Sequence, residues 1–160
     1  MPLAILRPSD WELPVFLHVL GATILVGAIA TGAIALLLAW NRDERGGSVT
    51  LTRFGFRSLL FVALPAWFLM RIPAQWAYSE EGWDKVEEAG GEEPAWLGVG
   101  YITGDLSGPI LLIGIVVAGL GARKASQGGG TGLARAATVI TLLLIAMYLI
   151  AVWAMTTKPE

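Results

Sequence analysis

Cysteine is absent from the 160 residues, and histidine occurs once. Without Cys the chain makes no disulfide, no CxxC redox pair, no zinc ribbon and no thiolate-held iron–sulfur cluster. With one His it has no two-His metal motif, and no bis-His haem site unless two protomers share it. Charge is scarce as well: Asp, Glu, Lys and Arg make up 15 %, against about a quarter in soluble domains. The formal net charge of −2 leaves no basic field for nucleic acid. No Ser/His/Asp arrangement is credible, because His18 is bedded in an apolar run. Hydrophobic residues reach 55 %, which excludes an ordinary soluble enzyme and a disordered chain alike. The length allows one domain.

Four apolar stretches dominate: Leu13–Trp40, Phe54–Tyr78, Trp96–Ala122 and Leu133–Thr156. Each runs about 24 to 28 residues, where a hydrocarbon core of about 30 Å needs about 20. The expected fold is therefore all-α, a polytopic four-helix transmembrane bundle in one domain. Its connectors are a polar turn (Asn41–Arg53), an acidic loop (Ser79–Pro94) and a basic, Gly-rich link (Arg123–Gly132). Arg42, Arg45, Arg53, Arg57, Arg123, Lys124 and Arg135 flank the first and third connectors, while Arg7, Lys85 and Lys158 stand on the opposite side. By the positive-inside rule the first group faces the cytoplasm, so both termini and the acidic loop face outward. The acids agree: Asp10, Glu12, Glu160 and seven loop carboxylates lie on the outer side, Asp43 and Glu44 on the inner. Ala28-Ile29-Ala30 resembles a signal-peptidase tripeptide, but the apolar run continues past it and the preceding region lacks net positive charge, so the first span is expected to be retained. Trp11, Trp76, Trp83, Trp96 and Trp153 map to the outer boundary and Trp40 to the inner, as an aromatic belt would.

Three ionisable residues fall inside the spans: His18, Arg71 and Asp105. A charge at the bilayer centre costs about 2.5–3.5 kcal/mol on insertion scales, so each is a functional candidate. At about 1.5 Å per residue, His18 falls about 7 Å below the outer boundary, Arg71 about 10 Å, Asp105 about 13 Å and Tyr148 about 12 Å. Helical phase groups Arg71 with Trp67, Gln75 and Tyr78; Asp105 with Tyr101, Gly98 and Leu112; and His18 with Gly21, Ala22, Leu25 and Gly32. On the last span Thr141, Tyr148 and Met155 recur as a packing seam. The expected site is thus a polar layer of His18, Arg71, Tyr101, Asp105 and Tyr148. Arg71 either snorkels to headgroups or pairs with Asp105; Asp105 stays neutral, pairs, or faces water.

Gly100, Gly104 and Gly108 form GxxxGxxxG, a signature of close helix packing. Pro109 deprives the Asp105 carbonyl of its helical partner, and Pro65 and Pro73 do the same for Phe61 and Leu69. A kinked third span is expected, rather than a helix that begins at Pro109. Val99-Gly100-Tyr101 echoes a potassium filter, but Ile102-Thr103 interrupts the run of carbonyls such a filter needs. The acidic loop lacks calcium-loop spacing. Met70 and Met155 near His18 suggest thioether ligands for copper(I).

Leu17-His18-Val19-Leu20-Gly21-Ala22 followed by Val26-Gly27, and the closing Ala154-Met155-Thr156-Thr157-Lys158-Pro159, resemble an uncharacterised bacterial family of four-helix integral membrane proteins, and more distantly CopD-type copper-resistance domains. The resemblance implies His18 as a haem or copper ligand. Single-His ligation of haem would need Met, water or a second protomer as the other ligand. Two functional readings follow. One is a binding or conducting protein of the bacterial inner membrane, holding haem, a metal or a small solute, or relaying protons through Asp105 and His18. The other is a structural subunit whose Gly-rich spans dock onto a second copy or onto other membrane proteins. No nucleophile or acid–base dyad recommends an enzyme.

Overall fold

The computed structural model describes residues 9–41, 47–92, 94–129 and 131–158. Arg7, Arg42, Asp43, Glu44, Arg45, Glu93, Pro159 and Glu160 lie outside the described residues, as do the side chains of Asp10, Trp11, Glu12, Asp84 and Glu87. The chain is helical: α1 (Ser9–Asn41), α2 (Gly47–Ser58), a π-helical turn (Leu59–Ala63), α3 (Leu64–Glu80), the short α4 (Trp83–Glu88), α5 (Ala95–Ala125) and α6 (Thr131–Thr157). Four segments are long and apolar enough to cross a bilayer: Leu13–Trp40, Ser48–Glu80, Ala95–Ala125 and Gly132–Thr157.

The helices form a ring in which α1 packs against α2, α3 and α6, while α5 packs against α6 and α2. Outward-facing positions are mostly apolar, with Phe16, Phe61, Ile72, Ile102, Val116, Leu149 and Trp153 all more than half exposed. Such a surface would aggregate in water and suits hydrocarbon. The protein is a multi-pass membrane protein built as an all-α bundle. Its α3–Ala95 connection carries Glu80, Glu81, Glu88 and Glu92, and defines an acidic end; Arg53, Arg57, Arg123, Lys124 and Arg135 mark the opposite, basic end.

The second span begins earlier than its apolar run suggests. Residues 47–53, expected in a polar turn, are helical. Thr52 is fully buried there because its hydroxyl donates to the Ser48 carbonyl at 2.8 Å, which removes the cost of the polar group. Pro65 acts as its chemistry requires. It cannot donate to Phe61, and the ladder slips to π register just before it, with Leu64 N–H donating to the Leu59 carbonyl. The third span runs unbroken through Pro109, so the helix does not begin there.

Toward the basic end the interior is filled. Leu25, Ile29, Leu36, Leu59 and Leu144 are fully buried, with Leu111, Ile115 and Ala118 beside them. Polar residues in this zone satisfy themselves: Thr138 and Thr141 donate to the carbonyls of Ala134 and Ala137 at 2.9 and 3.0 Å. Ser58 ties α2 to α1 through the Ala28 carbonyl at 2.9 Å. Toward the acidic end α3 and α5 touch only sparingly, and the space between them is the candidate site.

Candidate functional site

A cavity of about 710 Å³ opens in the acidic half of the bundle, walled by α1, α3, α5 and α6. Most of its wall is apolar, including Val15, Ala22, Val26 and Leu97. Two thioethers, Met70 and Met155, also face it. His18, Arg71, Tyr101 and Tyr148 line it too, so four of the five residues expected in the polar layer meet at one cavity.

The position of His18 follows from Gly21, one turn further along α1. A Cβ at Gly21 would collide with the backbone of Leu69 and Met70, so only glycine lets α1 and α3 come this close. That approach brings His18 Nδ1 to 2.9 Å from the Met70 carbonyl oxygen. A carbonyl only accepts, so Nδ1 carries a proton and Nε2 is the nitrogen left to act as a ligand. No described residue bonds Nε2. An imidazole tethered through Nδ1–H to a backbone carbonyl is oriented as metal-binding histidines are.

Arg71 does not snorkel away from the bundle. Its Nε donates to Asp105 Oδ1 at 2.7 Å and a terminal nitrogen donates to Gln75 Oε1 at 3.2 Å. The guanidinium carbon stands 5.2 Å from the centroid of the Tyr101 ring, within cation–π range. Tyr101 is held in turn by an edge contact with Tyr78 at 5.0 Å and by its hydroxyl, which donates to the Ala74 carbonyl at 3.3 Å. Arg71 and Tyr101 therefore bridge the gap between α3 and α5.

Asp105, the fifth residue of the expected polar layer, does not line the cavity. Its side chain is 58 % exposed against 22 % for Arg71, and Leu112, placed on the same face, is also exposed. The glycine stripe explains the difference. Gly104 and Gly108 face the interior, and Asp105, about 100° from Gly104, is turned away from it, where only its bond to Arg71 connects it to the cavity lining. These glycines also do something other than seat backbone on backbone. Gly100 makes room for the Met155 thioether and Gly108 for the Trp67 indole, while Gly104 faces the aliphatic stem of Arg71 at ordinary contact distance.

Two residues that sequence reasoning did not place in the site, Ser107 and Trp67, stand behind its wall and bond to Tyr148 and Gly104, which line it. Tyr148, 5 % exposed, donates from its hydroxyl to Ser107 Oγ at 2.6 Å. Ser107 Oγ donates to the Gly104 carbonyl at 3.0 Å. Trp67 Nε1 donates to that carbonyl at 3.1 Å and to Ser107 Oγ at 3.2 Å. The available signal was position: Ser107 stands one turn from Gly104, on the side that the glycine motif turns inward. Every buried side-chain nitrogen and oxygen among the described residues has a partner. No cluster of three or more His, Asp or Glu suited to a bare metal ion occurs among the described residues. The chain matches no protein-family model, no curated protein and no solved structure.

Proposed function

We propose that this chain is a membrane-embedded binding protein that holds one small, largely apolar molecule with a polar or anionic end. The observation that carries the reading is His18, oriented by its backbone tether at the wall of a mostly apolar cavity of about 710 Å³. Sites for drug-sized ligands and cofactors span about 300–1,000 Å³ and combine apolar walls with a few convergent polar groups. Packing supports binding over passage: fully buried Leu25, Ile29, Leu36, Leu59 and Leu144 fill the bundle toward the basic end.

Haem fits the lining residues best. His18 Nε2 would hold the iron, with a thioether from Met70 or Met155, water or a second protomer as a further ligand. Arg71 would face a propionate, a charge-assisted partnership. Haem bound there would supply one-electron or gas-binding chemistry; the protein would supply the ligand, the counter-charge and a mostly apolar wall. Copper(I) is the alternative occupant, drawing on His18 and the two thioethers. The resemblance of the first span to His-bearing bacterial membrane families agrees with either.

Arg53, Arg57, Arg123, Lys124 and Arg135 support an orientation with the basic end in the cytoplasm of a bacterial inner membrane, which opens the cavity toward the outer leaflet. The test is the absorption spectrum and metal content of the purified, detergent-solubilised protein, alone and after addition of haemin or copper(I). A Soret band or retained copper that is lost in His18→Ala and kept in Asp105→Asn is the expected result. A colourless, metal-free protein that takes up neither would overturn this ligand assignment and favour a subunit role.

A further inference from the structure

The basic end carries a second recess, independent of the cavity. A shallow groove of about 480 Å³ lies between α2 and the last turns of α5, bordered by Arg53, Arg57 and Arg123, with Phe56, Gly119 and Ser126 beneath and beside them. We propose that this groove binds the phosphate of one anionic phospholipid from the leaflet at that end.

Three observations converge on that ligand. Arg53 and Arg57 are one helical turn apart on α2, and Arg123 approaches from a different helix, so the charges converge on one recess rather than being strung along a surface. All three are exposed, and no carboxylate among the described residues pairs with them. Arg135, at the same end, is engaged differently, its guanidinium 5.3 Å from the Trp40 ring centroid, and it does not line the groove.

The second observation is local. A Cβ at Gly119 would come within 3.0 Å of the Phe56 ring, so the glycine lets Phe56 lie flat against α5 as an apolar floor. Ser126 donates to the Arg123 carbonyl at 2.6 Å, which occupies one of the carbonyl oxygens that would otherwise repel an anion at this helix end.

The third observation selects a lipid over free phosphate. Leu120, Val116 and Ile113 lie below Arg123 at helical spacing, and Phe61 lies one turn below Arg57; all are exposed. Cations at the top of exposed apolar rails match a phosphate with acyl chains hanging beneath it. Basic pockets between transmembrane helices bind anionic headgroups in this way.

Native mass spectrometry of the full chain, released from detergent with equimolar dioleoylphosphatidylglycerol and dioleoylphosphatidylcholine, tests the proposal. The expected result is selective retention of one phosphatidylglycerol. Arg57→Gln and Arg123→Gln should each cut that retention about fivefold, the equivalent of about 1 kcal/mol per arginine near an anionic surface. Ser126→Phe keeps every charge but fills the groove, and should lose the lipid as well, while Arg135→Gln should keep it. The unfolding midpoint of each variant shows whether it is folded. Equal retention of both lipids would overturn the proposal. So would a loss in Arg135→Gln as large as in the groove variants, which would mean a general charge field, or displacement of the lipid by excess inorganic phosphate, which would make the occupant a soluble anion.

Discussion

Ser107 receives the Tyr148 hydroxyl and shares the Trp67 indole N–H with the Gly104 carbonyl, so one small side chain joins α3, α5 and α6. Removing it strands the Tyr148 hydroxyl in a buried site, whereas removing that hydroxyl leaves Ser107 with its other partners. Ser107→Ala is therefore expected to destabilise by about 1–2 kcal/mol and Tyr148→Phe by less. The double variant should cost less than the sum, as measured by SDS-induced unfolding of detergent-solubilised protein. Arg71 and Asp105 call for a cycle of the same kind. Asp105→Asn leaves the guanidinium without its counter-charge, and Arg71→Gln leaves the carboxylate alone. Both singles should destabilise, and the double should recover about 0.5–3 kcal/mol of coupling; additive costs would mean that the 2.7 Å pair does no structural work. His18, Arg71, Tyr101 and Tyr148 were legible in the sequence because polar groups within apolar runs are few and their depths can be counted. Ser107 was not. A serine in a membrane helix satisfies itself on its own backbone, and nothing local reveals that a tyrosine and a tryptophan from other helices will meet it.

Glycines separate into kinds at the scale of the element, although they read alike in sequence. At Gly21 a Cβ would strike the α3 backbone, which cannot move aside as a side chain can. Gly21→Ala should therefore force α1 from α3, lengthen the His18–Met70 bond and destabilise by about 1–3 kcal/mol. At Gly104 a Cβ would make only ordinary contact, 3.6 Å from Arg71 Cδ, and at Gly27 it would meet nothing within 4 Å. Gly104→Ala should be nearly neutral and Gly27→Ala should gain about 0.5–1 kcal/mol from restricting the unfolded chain. Unfolding of the three alanine variants side by side checks the order, and a Gly104 variant as damaging as the Gly21 variant would contradict it. The GxxxGxxxG motif was legible as a signature of close helix packing. Its partners were not, because a spacing rule cannot tell whether the facing surface is backbone or an indole side chain. Pro65 was likewise legible as a break in the ladder, while the π turn that absorbs it depends on how α2 and α3 must both lie against α1.

At the scale of the whole molecule, orientation is open to a clean test because the chain has no cysteine of its own. A membrane-impermeant maleimide is expected to label Glu88→Cys in intact cells and Gln127→Cys only after permeabilisation; the reverse pattern would invert the bundle and turn the cavity toward the other leaflet. The sequence by itself determined the number of spans, their approximate limits, the all-α class and the charge difference between the two ends. These are one-dimensional properties, since about 20 apolar residues must become helix in hydrocarbon, where no water satisfies the backbone. Only the tertiary structure decided which faces meet. It left Asp105 exposed while its neighbour Gly104 faces inward, drew Ser107 into a hydrogen-bonded cluster behind the cavity wall, and left α3 and α5 apart at the acidic end while the basic end closed. Rotation of each helix about its axis is fixed by how side chains from the other three fill the space, and that is not written in any one segment.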